Sequence, residues 1–219
     1  MARLGYQRYG AQGGDYGSVI STLLGQLDPE HCAAIHLNLI LAGPPREGDP
    51  LEGLSDTELQ HLATTRQNAS EETGYYAIQS TRPGTLGFAL HDSPVGLAAW
   101  LVEKFRSWSD CGGDVETSFT RDQLLANVML YWVTGTITSS CRLYWETEHS
   151  ERVTPSGVPT GAALFPGELI RAPRAWAEQR YPNLVHWREF ERGGHFAALE
   201  VPELLAEDLR TFFRPYRSG

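Results

Sequence analysis

The chain has 219 residues, a length that favours one domain or at most two. Hydrophobic residues make up 41% and charged residues 21%, a globular balance that excludes disorder and a coiled coil. A net charge of -9 offers no long-range attraction for phosphates, so nucleic acid is not expected as a partner. No apolar run approaches the ~18–20 residues that span a bilayer, and the opening MARLGYQRYG lacks the apolar core of a signal peptide. A cytoplasmic location is therefore expected. Cys32, Cys111 and Cys141 are widely spaced without a CxxC, which argues against a disulfide framework and a Cys-rich zinc site. Lys104, the single lysine, has no context that would make it a Schiff-base residue.

In chain order, Tyr9 to Gln12 is a short β-favouring stretch that runs into Gly13-Gly14-Asp15-Tyr16-Gly17. Val19, Ile20, Leu23, Leu24 and Leu27 then recur at helical spacing, and Pro29 marks the stop. Ala33 to Leu41 is almost continuously apolar, as expected for a strand buried on both faces. Strand, tight turn, helix and strand make a βαβ unit, hence a parallel sheet. Residues 46–152 read as helices instead. Ser55-Asp56-Thr57-Glu58 is a capping box that opens a polar helix through Gln79. Pro94 to Trp108 is amphipathic with proline in its first turn. Thr120 caps a third helix, and a fourth runs over Thr134 to Glu146, with Gly135-Thr136 bending or splitting the pair. Strands return at Val158 to Phe165 and Leu184 to Phe190, around a helix from Arg174 to Tyr181, and Pro202 to Phe213 is a closing amphipathic helix. Three segments are expected: core residues 1–45, a helical insertion at 46–152, and core residues 153–219.

Gly-x-Asp-x-Gly between a strand and a helix has the pattern of a nucleophile elbow, with aspartate in place of the usual serine. Such a turn holds its central residue in a strained conformation, so the flanking positions must lack bulk. The helix N-terminus behind it keeps a carboxylate ionised. A glycine-rich turn with Asp15 as an ordinary helix cap accounts for the same five residues equally well. Glu168 follows one late strand and His195, after Gly193-Gly194, follows another. Nucleophile, acid, histidine is the chain order of α/β-hydrolases, and all three fall at the C-terminal ends of predicted strands, where open α/β sheets place their sites.

Carried by MARLGYQRYGAQGGDYGS, HLNLIL, HDSPVGLAAWLVEKFRSW, NVMLYWVTGTITSSCRLYWE, VPTGAALFPGEL and RGGHFAALEVPELLAEDLR, the chain resembles the microsomal-type epoxide hydrolases, which include the insect juvenile-hormone epoxide hydrolases. The resemblance implies an incomplete α/β-hydrolase parallel sheet with a helical cap inserted. It implies Asp15 as nucleophile, Glu168 as charge-relay acid, His195 as general base and the Tyr16 backbone N–H as oxyanion donor. It matches Tyr75, in TGYYAIQ, and Tyr144, in CRLYWE, to the cap tyrosines that hold the epoxide oxygen. Tyr76 stands one residue from the first of these, and packing with a satisfied hydroxyl is the plainer reading of both tyrosines.

The substrate implied is a small apolar epoxide with water, with no cofactor and no metal; a homo-oligomer is compatible with the reading. The family's chain is roughly twice as long, so this one is expected to lack the first strands of the sheet and a His-Gly-x-Pro loop that supplies a second oxyanion donor. Low activity and poor solubility are expected of the chain by itself, with the elbow strand as an exposed sheet edge. A haloalkane dehalogenase also uses an aspartate elbow, but it needs halide-binding donors such as a tryptophan beside the nucleophile, where Tyr16 stands. A non-catalytic fragment, such as a helical interaction module at 46–152, is the rival from another class.

Overall fold

The computed structural model describes residues 1–150 and 156–217; the expected boundary at 152/153 lies outside them. The chain divides into two compact units, Met1–Gln67 with Val153–Gly219, and Asn68–Arg152.

In the first unit a short 3-10 turn leads to β1 (Tyr9–Gly13), α1 (Tyr16–Leu27) and β2 (Cys32–Leu37). β2 is shorter than the apolar run predicted, because beyond Leu37 the strand pairing ends. The polar helix α2 (Asp56–Glu71) follows, and most of it lies in this unit. Its capping box forms as expected: Glu58 accepts from the Ser55 N–H at 2.9 Å, while the Ser55 hydroxyl oxygen accepts from the Glu58 N–H at 3.3 Å. Leu62 is the one buried apolar residue of α2 among those described, so tertiary bonds hold the helix instead: Thr65 Oγ1 accepts from the Arg171 N–H at 3.1 Å.

In the second unit α3 (Gly74–Thr81), α4 (Pro83–Asp92), α5 (Pro94–Ser107), α6 (Arg121–Thr134) and α7 (Ile137–Glu148) enclose Leu90, Leu97, Val128, Ile137 and Cys141. The single helix predicted from Ser55 to Gln79 is two. The break falls at Glu72-Thr73, where Glu72 Oε2 accepts from Ser107 Oγ and Trp108 Nε1, both at 2.9 Å, on the far end of α5. That partner is remote in sequence, so local pattern could not signal the break. The helix α4 was not predicted; Pro83 in its first turn was the available cue. Other caps follow the sequence. Thr120 and Gln123 form a capping box, and Gly135, at φ 63°, ends α6 in the left-handed region that favours glycine.

The first unit resumes with β3 (Thr160–Leu164), α8 (Arg174–Arg180), β4 (Leu184–Glu189), α9 (Ala197–Glu200) and α10 (Pro202–Phe213). Among the described residues the strands form one parallel sheet in the order β1-β2-β3-β4. Residues along β3 alternate between two cores. Ala162 and Leu164 join Ile35, Leu37 and Ala177, whereas Ala163 and Phe165 join Val201 and Leu205. A parallel sheet buried on both faces needs both sets apolar, and β3 has them.

Register then builds one buried polar cluster. His36 of β2, Gly161 of β3 and His186 of β4 lie side by side across the sheet. A Cβ on Gly161 would come within 2.8 Å of the Phe212 ring, so the glycine admits α10 to close contact. Asp208 of α10 then accepts from Nε2 of both histidines at 2.9 Å, with Arg188 Nη1 at 3.3 Å. The two histidines and the aspartate are a conceivable metal set. The donors do not suit one: the guanidinium opposes a cation. Metallating His36 Nε2 would also leave a proton on the buried Nδ1, which has no partner among the described residues.

Candidate active site

The turn after β1 is a strained elbow. Asp15 has φ 50° and ψ -127°, the only positive φ at a non-glycine residue among those described. Such a conformation persists only where its surroundings over-determine it, and several contacts do so. The Ser18 hydroxyl donates to the Gly13 carbonyl at 2.9 Å, and the Ser18 N–H to the Asp15 carbonyl at 3.0 Å. A Cβ on Gly13 would fall 2.0 Å from the Gly17 carbonyl oxygen, and one on Gly14 would fall 2.4 Å from Asn38 Nδ2. The demand for absent bulk therefore acts at Gly13 and Gly14. A Cβ at Gly17 would meet open space, so the closing glycine of the Gly-x-Asp-x-Gly pattern is not sterically required.

At the ends of β3 and β4 the two loops are joined by a parallel bridge between Gly167 and Gly194. The Gly167 N–H donates to the Gly193 carbonyl at 3.0 Å, and Gly193, at φ 100°, takes a conformation suited to glycine. This bridge sets Glu168 beside His195. His195 Nδ1 lies 2.9 Å from Glu168 Oε1 and 3.1 Å from Oε2, and its Nε2 lies 3.0 Å from Asp15 Oδ2. The Glu168 and His195 side chains are 4% and 8% exposed, whereas that of Asp15 is 42% exposed. The second Asp15 oxygen, Oδ1, accepts from the Tyr16 N–H at 2.6 Å. Each carboxylate oxygen of Asp15 thus has a separate donor.

The electrostatics follow from these contacts. Burial alone would raise the Asp15 carboxyl, but the bond and charge of His195 and the Tyr16 N–H hold it below its ordinary value. Burial alone would lower His195; bonds to Asp15 and Glu168, and their charges, instead raise it to about 10. The two acidic side chains flanking the ring favour its imidazolium form.

Within the helical unit, Tyr75 and Tyr144 meet edge to face with ring centroids 5.7 Å apart. The Tyr76 ring also touches that of Tyr144, at 5.5 Å, and its hydroxyl donates to Glu148. Lys104 Nζ lies 5.0 Å from the Tyr75 ring centroid and 5.3 Å from that of Trp108, and Glu72 is 3.7 Å from the ammonium. The lysine is therefore occupied as a packed cation.

Sequence reasoning missed Gln12, Ser18 and Asn38. Only Asn38 had a local signal, a polar residue interrupting an apolar run.

No protein-family model matches the chain. Epoxide hydrolase 1 of Sus scrofa is 42% identical over 236 residues, covering 97% of this chain and 52% of that protein. The crystal structure of juvenile hormone epoxide hydrolase from the silkworm Bombyx mori is 34% identical with a TM-score of 0.90, covering 99% of this chain and 57% of that one. The Aspergillus niger epoxide hydrolase structure is 37% identical with a TM-score of 0.86, covering 98% and 54%. The chain spans about half the length of the curated relatives it matches. Sequence kinship and a shared parallel sheet together make the chain a homologue of these epoxide hydrolases with their α/β-hydrolase fold.

Proposed function

We propose that this chain carries the nucleophile and the acid–base pair of an epoxide hydrolase, converting an apolar epoxide and water to a vicinal diol through an ester on Asp15. The reading rests on one arrangement: a strained aspartate whose Oδ2 faces a histidine that a buried glutamate orients. Asp15 Oδ2 attacks an oxirane carbon, the carbon–oxygen bond breaks, and the leaving oxygen takes a proton from a tyrosine. Tyr75 and Tyr144 are the donors this reading assigns.

Ester formation removes the negative charge from Asp15. The bond that does most to hold the proton on His195 goes with it, so the ring's pKa falls and its proton passes through solvent to the tyrosinate, leaving a neutral imidazole. That neutral His195, oriented by Glu168, takes a proton from a water that attacks the ester carbonyl. Oδ1 becomes the oxyanion, where the Tyr16 N–H already sits. Collapse expels the diol oxygen, which takes the imidazolium proton, and the carboxylic acid left at Asp15 then returns its proton to His195.

Styrene oxide tests this, with the chain alone and with the chain joined to the N-terminal half of the silkworm relative. In His195→Gln the ester should form and persist, adding the mass of the epoxide to the peptide that contains Asp15. Tyr75→Phe and Tyr144→Phe should each slow its appearance, and Asp15→Asn should abolish it. An adduct on another residue, or turnover that survives Asp15→Asn, would overturn the assignment.

A further inference from the structure

We infer that Asn38, held by Gln12, is a positioning residue that braces the nucleophile elbow from the end of β2. Asn38 lies one residue beyond β2, next to the Gly13–Leu37 pair in register. Its backbone N–H donates to the Gly13 carbonyl at 3.1 Å, the same carbonyl that accepts from Ser18 Oγ at 2.9 Å. Its buried carboxamide lies so close under Gly14 that a Cβ there would be 2.4 Å from Nδ2, 2.7 Å from Oδ1 and 2.9 Å from Cγ. Gln12 Nε2 then donates to Asn38 Oδ1 at 2.7 Å, which fixes the amide's rotation.

Physical necessity gives this arrangement a task. Positive φ at a non-glycine residue is strained and relaxes unless neighbouring groups prevent it. Ser18 and the Tyr16 N–H restrain Asp15 from the helix side. On the strand side, Asn38 fills the volume into which Gly14 would swing if the turn relaxed. Gln12 is exposed and Asn38 is not, so the pair runs from the surface edge of β1 to the underside of the elbow. Without it, Asp15 Oδ2 would no longer be held 3.0 Å from His195 Nε2.

The inference deepens the proposed function, since Asp15 is the nucleophile there, yet its test needs no turnover. His195 faces two acidic groups, Asp15 and Glu168, and the titration of its ring, followed by NMR in the full chain, reports whether Asp15 is in place. Asn38→Ala should lower that midpoint by at least one unit in a protein that still melts cooperatively. Gln12→Met keeps the carboxamide under Gly14 but removes its restraint. Being exposed, it tolerates substitution, and it should give a smaller shift in the same direction. Tyr9→Phe, which removes a hydrogen bond to Asp28 at the other end of β1, should leave the midpoint unchanged. A folded Asn38→Ala that titrates like the parent would overturn the inference. If Asn38→Ala does not fold, an unshifted Gln12→Met would do so. Loss of the ester in Asp15→Asn tests the chemistry separately from this brace.

Discussion

At the scale of single residues, His195 is bound through both ring nitrogens, and that fixes how stability should vary with pH. Its folded pKa of about 10 lies above the ordinary value of 6.5. The bound proton therefore contributes stability that is fully present below pH ~6.5 and is lost as pH rises through about 10. Urea unfolding of the parent and of His195→Gln should differ most just below pH ~6.5, shrink steadily as pH rises and converge above pH ~10, if the protein remains folded there. A constant difference across that range would mean that the proton on His195 is not held by its carboxylate neighbours. Asp15 has the opposite dependence. Its lowered pKa contributes stability above its ordinary range, lost as the pH falls into acid.

At the scale of elements, the cluster of Asp208 with His36, His186 and Arg188 ties α10 to β2 and β4. The same helix follows α9 and the His195 loop, so the cluster anchors the end of the chain that carries the histidine. Asp208→Ala would leave two buried or half-buried imidazole N–H groups without their acceptor, at a cost of about 1–3 kcal/mol for a buried unsatisfied donor. Chemical denaturation should show this as a lower midpoint with unchanged cooperativity. A loss under about 1 kcal/mol would mean that water or rearranged tautomers replace the carboxylate. By comparison, Thr120→Ala removes only an exposed capping box from α6 and should cost about 1 kcal/mol.

At the scale of the whole molecule, β1 is paired on one side only among the described residues, and a groove of about 730 Å³ runs along it and α1. Ile20 and Leu24 of α1 line this groove and are exposed. A strand edge flanked by apolar side chains is a template for pairing with another chain. The net charge of -9 opposes contact between copies at low salt, and salt screens it over a Debye length of roughly 10 Å at 0.1 M. The 219-residue chain should therefore associate at micromolar to millimolar concentrations, more so as salt is added. Light scattering after size exclusion measures this, and Ile20→Lys with Leu24→Lys should shift the population toward monomer. A chain that remains monomeric in high salt would show that the edge is protected by its own residues.

Within the limits of local chemistry, the sequence by itself determined a great deal. Helical spacing, the Ser55 and Thr120 boxes and Gly135 specify where most helices begin and end, because caps and apolar periodicity involve residues within a turn of one another. The five residues from Gly13 to Gly17 left an elbow and an ordinary helix cap equally open, and Glu168 and His195 were legible as strand-end residues following Asp15 in order. Other features required the tertiary structure, because each depends on partners far apart in the chain. Glu72 ends α2 through bonds to residues on α5, and Gly161 matters only because α10 lies over it. Asn38 reaches the elbow through strand register, and the Gly167–Gly194 bridge sets the acid beside the histidine. Spacing along a chain carries information about nearest neighbours; which strands lie side by side, and in which register, is decided by burying both faces of the sheet at once.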